Sequence, residues 1–169
     1  MNAAYLGNLN QETLPQDRGR AMYAFAGKAI TVIQPYASAI VFGGKNIENR
    51  SRRTHYRGPV AIHSSLKGYP DDLDFPQQSV RGGEHRLLGN MIKSGMRKHG
   101  IEQDPMLKGH IIGIGMLVDC LEKSGSPWFN RSIESNFGWV IEAVIPINPI
   151  PLIGQVGLWN CKFKYQLGA

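Results

Sequence analysis

The apolar positions of the chain change period several times, and each change marks an element. "KAITVI" (28–33) is a compact, β-branched run that reads as a strand. In "QPYASAIVFGG", Pro35 suits the first position of a helix, Ala37, Ala39 and Ile40 continue it, and Gly43-Gly44 stop it. "KNIENRS" and "RGPVAIHSS" (57–65) read as two more strands, with Arg57-Gly58-Pro59 turning between them. In the second, Val60, Ile62 and Ser64 fall on one face, and Ala61, His63 and Ser65 on the other. Residues 66–83 hold Pro70 and Pro76 and little periodicity, so a long loop is expected.

Leu87, Leu88, Met91, Ile92, Gly95 and Met96 then recur at helical spacing and predict an amphipathic helix ending near Gly100. "GHIIGIGMLVDCLEK" (109–123) reads as a long strand bent by Gly113 and Gly115. Ile112, Ile114, Met116 and Val118 make its apolar face, and the glycines leave room on the other for a backbone or a ligand. "FGWVIEAVIPI" (137–147) is a second long strand, "NPIPLIG" a turn-rich link, and "GLWNCKFKY" (157–165) a terminal strand. There Leu158, Asn160, Lys162 and Lys164 alternate against Trp159, Cys161 and Phe163. Residues 1–20 are polar and aperiodic, so 1–27 is expected to be a flexible or peripheral arm and 28–169 one domain. The pattern predicts an α+β fold: a partly closed β-barrel of about six strands with short helices packed at its ends.

Composition narrows the partners. A chain of 169 residues with 42% hydrophobic content fills one core. A net charge of +6 and a pI near 9.5 favour a polyanionic partner, most simply nucleic acid. Cys120 and Cys161 show no CxxC spacing, which argues against a disulfide framework or a zinc site and for a reducing, cytoplasmic setting. Residues 1–27 lack an unbroken apolar run, and the longest apolar stretches are too short to span a bilayer, so neither a leader nor a membrane partner is expected.

The candidate chemistry lies in "GGKNIENRSRR" (43–53). Period-2 alternation puts Glu48 and Arg50 on one face and Lys45 on the other, but the long lysine stem behind two glycines reaches either side. If Lys45, Glu48 and Arg50 converge, the cluster carries a charge of +1, suited to a phosphate or an electron-rich base edge. Arg50 supplies a planar fork of donors, Lys45 a point charge, and Glu48 an acceptor for an amine or a sugar hydroxyl. The plainer alternative is that Glu48 and Arg50 only pair to hold the barrel mouth. Arg52, Arg53, His55, Tyr56 and Arg57 extend the positive charge and would grip a phosphate backbone, or else form a solvated turn.

Gln34 and Tyr36 flank the helix start, where free amides attract an anion; Tyr36 would stack on a base or cover the core. His63 would be a hydrogen-bonded structural residue or, at the rim, an acid or base. Trp159 would be core or one wall of a cleft, and Asp119 and Glu142 are the acids placed nearest the barrel interior. No G-x-S-x-G elbow, Cys–His pair or HxE…CxxC pattern is present, so an enzyme here would use Lys45 and Glu48 without metal or cofactor.

"QPYASAIVFGGKNIENRSRRTHYRGPVAIHSS" resembles the signature of the ASCH domain, a relative of the PUA domain. Its G-x-K-x-x-E-x-R run is matched by Gly43, Lys45, Glu48 and Arg50, after a short helix opening Q-P and before a strand like R-G-x-x-A-I-H. "FGWVIEAVIPINPIPLIGQVGLW" is similar to the closing segment of the coactivator-type branch. The resemblance covers roughly 28–165 and implies a PUA-like barrel, the motif lining a cleft, and binding of RNA or a nucleotide or nucleoside, with Gln34, Tyr36, Lys45, Glu48, Arg50, Arg52, Arg53, His63 and Trp159 as candidate contacts. It also implies an alternative, a metal-independent hydrolase of the N4-acetylcytidine amidohydrolase or ribonuclease kind using Lys45 and Glu48. The amidohydrolase branch, however, tends to carry threonine where this chain has Glu48. A basic protein-interaction module is the third reading.

Overall fold

Strand formation begins earlier than the β-branched run suggests. The computed structural model describes residues 21–67, 84–102, 104–130 and 136–167; residues 1–20 of the expected arm and 68–83 of the expected loop lie outside them. The first strand, β1, runs Tyr23–Val32, so residues 23–27, expected in the arm, belong to the sheet. They are held by ring contacts to the terminal strand β6 (Leu158–Tyr165), Tyr23 stacking on Tyr165 at 5.5 Å and Phe25 on Phe163 at 4.9 Å. Two aromatics separated by alanines carry little local strand preference; the distant cross-strand partner supplies the rest.

The other elements lie close to where the pattern placed them, with one difference. The second long strand runs four residues past 147, through 148–151, which was expected to be a turn-rich link; pairing of Ile150 and Pro151 with the start of the preceding long strand holds it. They are α1 (Tyr36–Phe42), β2 (Ile47–Arg50), β3 (Gly58–Ser64), α2 (Glu84–Lys98), β4 (His110–Leu121) and β5 (Phe137–Pro151). The sheet order is β2-β5-β4-β3-β1-β6; β1 and β3 are parallel and all other neighbours antiparallel. The α+β class is as expected. The barrel is not closed: among the described residues no ladder joins the two edge strands. The ties across the curl include a bridge, Ile147 to Leu167, a hydrogen bond from Asn148 N to Gln166 O at 3.1 Å, and one from Arg50 Nη2 to Thr31 O at 2.7 Å.

The sheet buries both faces. One packs Ile30, Val32, Val60, Ile62, Ile112 and Trp139 against α1 and against Leu88, Ile92 and Met96 of α2. The other gathers Phe25, Ala29, Ala61, Ile111, Ile114, Trp159 and Tyr165. Strand β3 alternates between these clusters as expected, but β4 does not. Its pairing register shifts three times against β5, and each shift offsets the simple period-2 alternation. Ile112 and Ile114, expected on one face, therefore enter opposite clusters, and Val118 is exposed. The room at Gly113 is taken by Val41 of α1, whose Cγ2 would lie 2.8 Å from an added Cβ, so no ligand enters there.

Cys120 and Cys161 are free, buried thiols, and burial pushes Cys161 up to about 11, which leaves it unreactive. Among the described residues no helix is long and apolar enough to cross a membrane.

Candidate functional site

The site is assembled at the junction of α1 and β2. Helix α1 ends at Gly43, and Gly44, at φ 72°, turns the chain so that the Lys45 N–H returns to Ala39 O at 3.0 Å. That reversal aims the lysine along β2. Beyond it, Ile47 points into a space that exists because residue 138 is glycine: a Cβ there would stand 2.8 Å from Ile47 Cγ2. With Ile47 seated, Glu48 and Arg50 face the opposite way, and Glu48 registers with Trp139 across the ladder.

The three head groups converge. Lys45, only 4% exposed, donates to Glu48 Oε2 at 2.9 Å and to the Ile47 carbonyl, and sits 5.7 Å from the Tyr36 ring centroid. Glu48 is 12% exposed, and its second oxygen lies 3.5 Å from Arg50 Nη2. Arg50, 20% exposed, donates from Nη2 to Thr31 O at 2.7 Å and lies 5.4 Å from the Trp139 ring centroid. Its Nε is buried and has no hydrogen-bond partner among the described residues. One carboxylate is thus clamped between two cations, with aromatic rings against both and one guanidinium donor unspent.

The remaining positions divide. Arg52 is exposed, while its carbonyl accepts from Trp139 Nε1 at 2.9 Å. Arg53 pairs with Glu122 and lies 5.3 Å from the Phe137 ring centroid, and Arg57 pairs with Asp119 at 2.9 Å. Two of the arginines expected to grip phosphate are therefore already matched by acids. Asp119 and Glu142 are not interior acids. Asp119 is half-exposed, its carboxyl held below the usual range by the Cys120 N–H and by Arg57, and Glu142 is exposed.

Three expected contacts are enclosed instead. Gln34 is fully buried, its amide donating to Leu107 O at 2.7 Å and accepting from Ser38 N at 3.1 Å, which fixes the α1 start to the loop before β4. Trp159 belongs to the second cluster and donates from Nε1 to Thr31 Oγ1 at 3.2 Å. His63, 1% exposed, meets Trp159 edge-on at 5.9 Å and bonds Leu152 O through Nε2 at 2.8 Å. The backbone at Gly154 lies against its ring. These side chains pack and tether; they do not reach the Lys45 cluster.

Burial holds the His63 pKa below its ordinary 6.5, outweighing the Leu152 carbonyl, and the neighbouring His110 adds to the depression. Below about pH 6.5 the unfolded chain takes up a proton that the folded chain refuses, so stability falls as pH drops. In thermal melts between about pH 7.5 and 5.5, His63→Gln, which keeps a donor for Leu152, is expected to flatten that decline. Equal slopes for the two proteins would remove His63 as its source.

Sequence reasoning missed the fastening of β2. Asn49 donates to Trp128 O at 2.8 Å and accepts from Asn130 N at 2.9 Å, and Asn46 accepts from Ser126 Oγ at 3.2 Å. Asparagines in a strand were the available signal. Thr31, the Arg50 anchor, contributes a backbone carbonyl and leaves no trace in sequence. Among the described residues no group of three His, Cys, Asp or Glu is placed to hold a metal ion.

A family model described as the ASCH domain matches residues 30–151; it names the family and no branch of it. No curated protein matches the chain.

Proposed function

The chain belongs to the ASCH domain family, and from that premise we propose that it binds RNA or a nucleotide unit at the Lys45–Glu48–Arg50 cluster. The observation that carries this reading is the clamped carboxylate: three charges held in a nearly dry corner where apolar side chains would pack more cheaply. The cluster's net positive charge suits a phosphate, Glu48 accepts from an exocyclic amine or a sugar hydroxyl, and Arg50 Nε offers an uncommitted donor. The half-buried Tyr36 ring beside Lys45 supplies a flat wall, and the buried Trp139 ring backs Arg50.

Metal-independent hydrolysis by the same pair is the second reading, favoured by the 2.9 Å contact between two shielded side chains. There Lys45 would act as base or electrophile and Glu48 would orient water. The two readings part on turnover.

Anisotropy titration of a labelled tetraribonucleotide, with acylated cytidine and RNA assayed for product in parallel, tests both. Saturable, salt-dependent binding without product is expected. Arg50→Lys, which keeps the charge and loses the planar fork, is expected to weaken it roughly tenfold while circular dichroism stays unchanged. Unaltered affinity in that variant, or no binding by the native chain, would overturn the proposal; product formation would hand the site to the hydrolase.

A further inference from the structure

The β1–β6 ribbon has two chemically opposite faces. Tyr23, Phe25, Phe163 and Tyr165 share one, where they contact one another. The register sets Lys28 opposite Asn160, Ala26 opposite Lys162 and Ala24 opposite Lys164, so the other face carries three lysines among small and neutral residues. Lys162, Lys164, Asn160 and Ala26 are exposed, and Lys28 is half-buried. Lys162 and Lys164, two residues apart on one strand, are separated by roughly 6.7 Å, and Lys28 lies diagonally from Lys162 at about 7–8 Å. The three lysine backbone positions thus form a row of near-even steps.

Among the described residues no acid answers this row. Neither strand contains Asp or Glu. The ion pairs among the described residues are Lys45–Glu48, Arg50–Glu48, Arg53–Glu122 and Arg57–Asp119, and none involves these lysines. Two of the three arginines of the 52–57 segment are thus neutralised, while the sheet carries three lysines in none of these pairs. Three residues beyond Lys28 on β1, about 10 Å along the strand, stands Thr31, whose backbone carbonyl holds Arg50 of the candidate site.

From this placement we infer that the Lys28–Lys162–Lys164 face is a backbone track for single-stranded RNA, carrying the phosphates that flank a nucleotide held at the Lys45 cluster. The inference rests on the proposed binding function and extends it from one unit to a strand. Evenly stepped point charges suit successive phosphates of an extended chain, and Ala24 and Ala26 let that chain approach the sheet closely. The face offers no aromatic ring and only Asn160 as a neutral polar group, so the track reads charge and not sequence.

The test compares a labelled tetraribonucleotide and a twelve-residue oligouridylate on the full chain, with the native protein and the triple variant Lys28→Gln, Lys162→Gln, Lys164→Gln. The variant is expected to bind the longer strand roughly tenfold or more weakly, with the slope of log affinity against log salt reduced by about 2, and to bind the tetramer normally. Native affinity and slope for the long strand in the triple variant would overturn the track. So would an oligoglutamate peptide captured through these lysines while the RNA is ignored. Failure of the site reading looks different: the tetramer is not bound, while the long strand still responds to the lysines.

Discussion

Replacing Glu48 with glutamine is expected to cost the fold about 3 kcal/mol, read as a lower midpoint in urea unfolding. The carboxylate serves two cations at once, 2.9 Å from Lys45 and 3.5 Å from Arg50, and Lys45 is almost sealed from water. Removing the negative charge leaves a buried ammonium group with neutral oxygen partners only, the Ile47 carbonyl and the new amide, and no counter-ion. Adding Lys45→Met to the same chain is expected to recover about 2 kcal/mol, because an apolar stem fills the same space without the desolvation cost. Full recovery of stability with complete loss of nucleotide binding would show that the charges serve the ligand more than the fold. A loss below about 0.5 kcal/mol for Glu48→Gln would mean that water screens the pair, and the clamped carboxylate would cease to explain anything.

The second large effect is expected at Gly95, where α2 crosses α1. A Cβ there would stand 2.0 Å from the Phe42 carbonyl oxygen, a backbone atom that cannot swing aside. Gly95→Ala must push the helices apart, at an expected cost of about 3 kcal/mol, or a melting temperature lower by roughly 6–12 °C. Gly89 in the same helix is the control: an added Cβ meets nothing within 4 Å, and alanine there is expected to stabilise by about 0.5–1 kcal/mol. Similar behaviour of the two alanines would refute the close crossing. Because Lys45 follows α1 by three residues, the Gly95 variant is also the one in which the site would shift without being touched.

The elements legible in sequence were those whose signals are local. Pro35 and Gly43 bracket α1, and the i, i+4 recurrence of Leu88, Ile92 and Met96 marks α2. Convergence of Lys45, Glu48 and Arg50 followed from one strand's alternation plus a flexible stem. What stayed hidden depended on partners far along the chain. The start of β1 needs the β6 aromatics, and the face order of β4 needs bulges that no period reveals. The neutralisation of Arg53 and Arg57 needs Glu122 and Asp119, more than sixty positions away. The engagement of Gln34, His63 and Trp159 was hidden for the same reason: they carry useful chemistry, and only the fold shows it spent on backbone carbonyls and a threonine hydroxyl.

One guanidinium also acts as a latch. Arg50 belongs to the first strand in the sheet order and Thr31 to the fifth, so their 2.7 Å hydrogen bond spans the mouth of the curl. An anion that took the Nη2 hydrogen now on Thr31 would loosen that latch. The tightness of its grip and the width of the opening are therefore opposing demands on a single side chain.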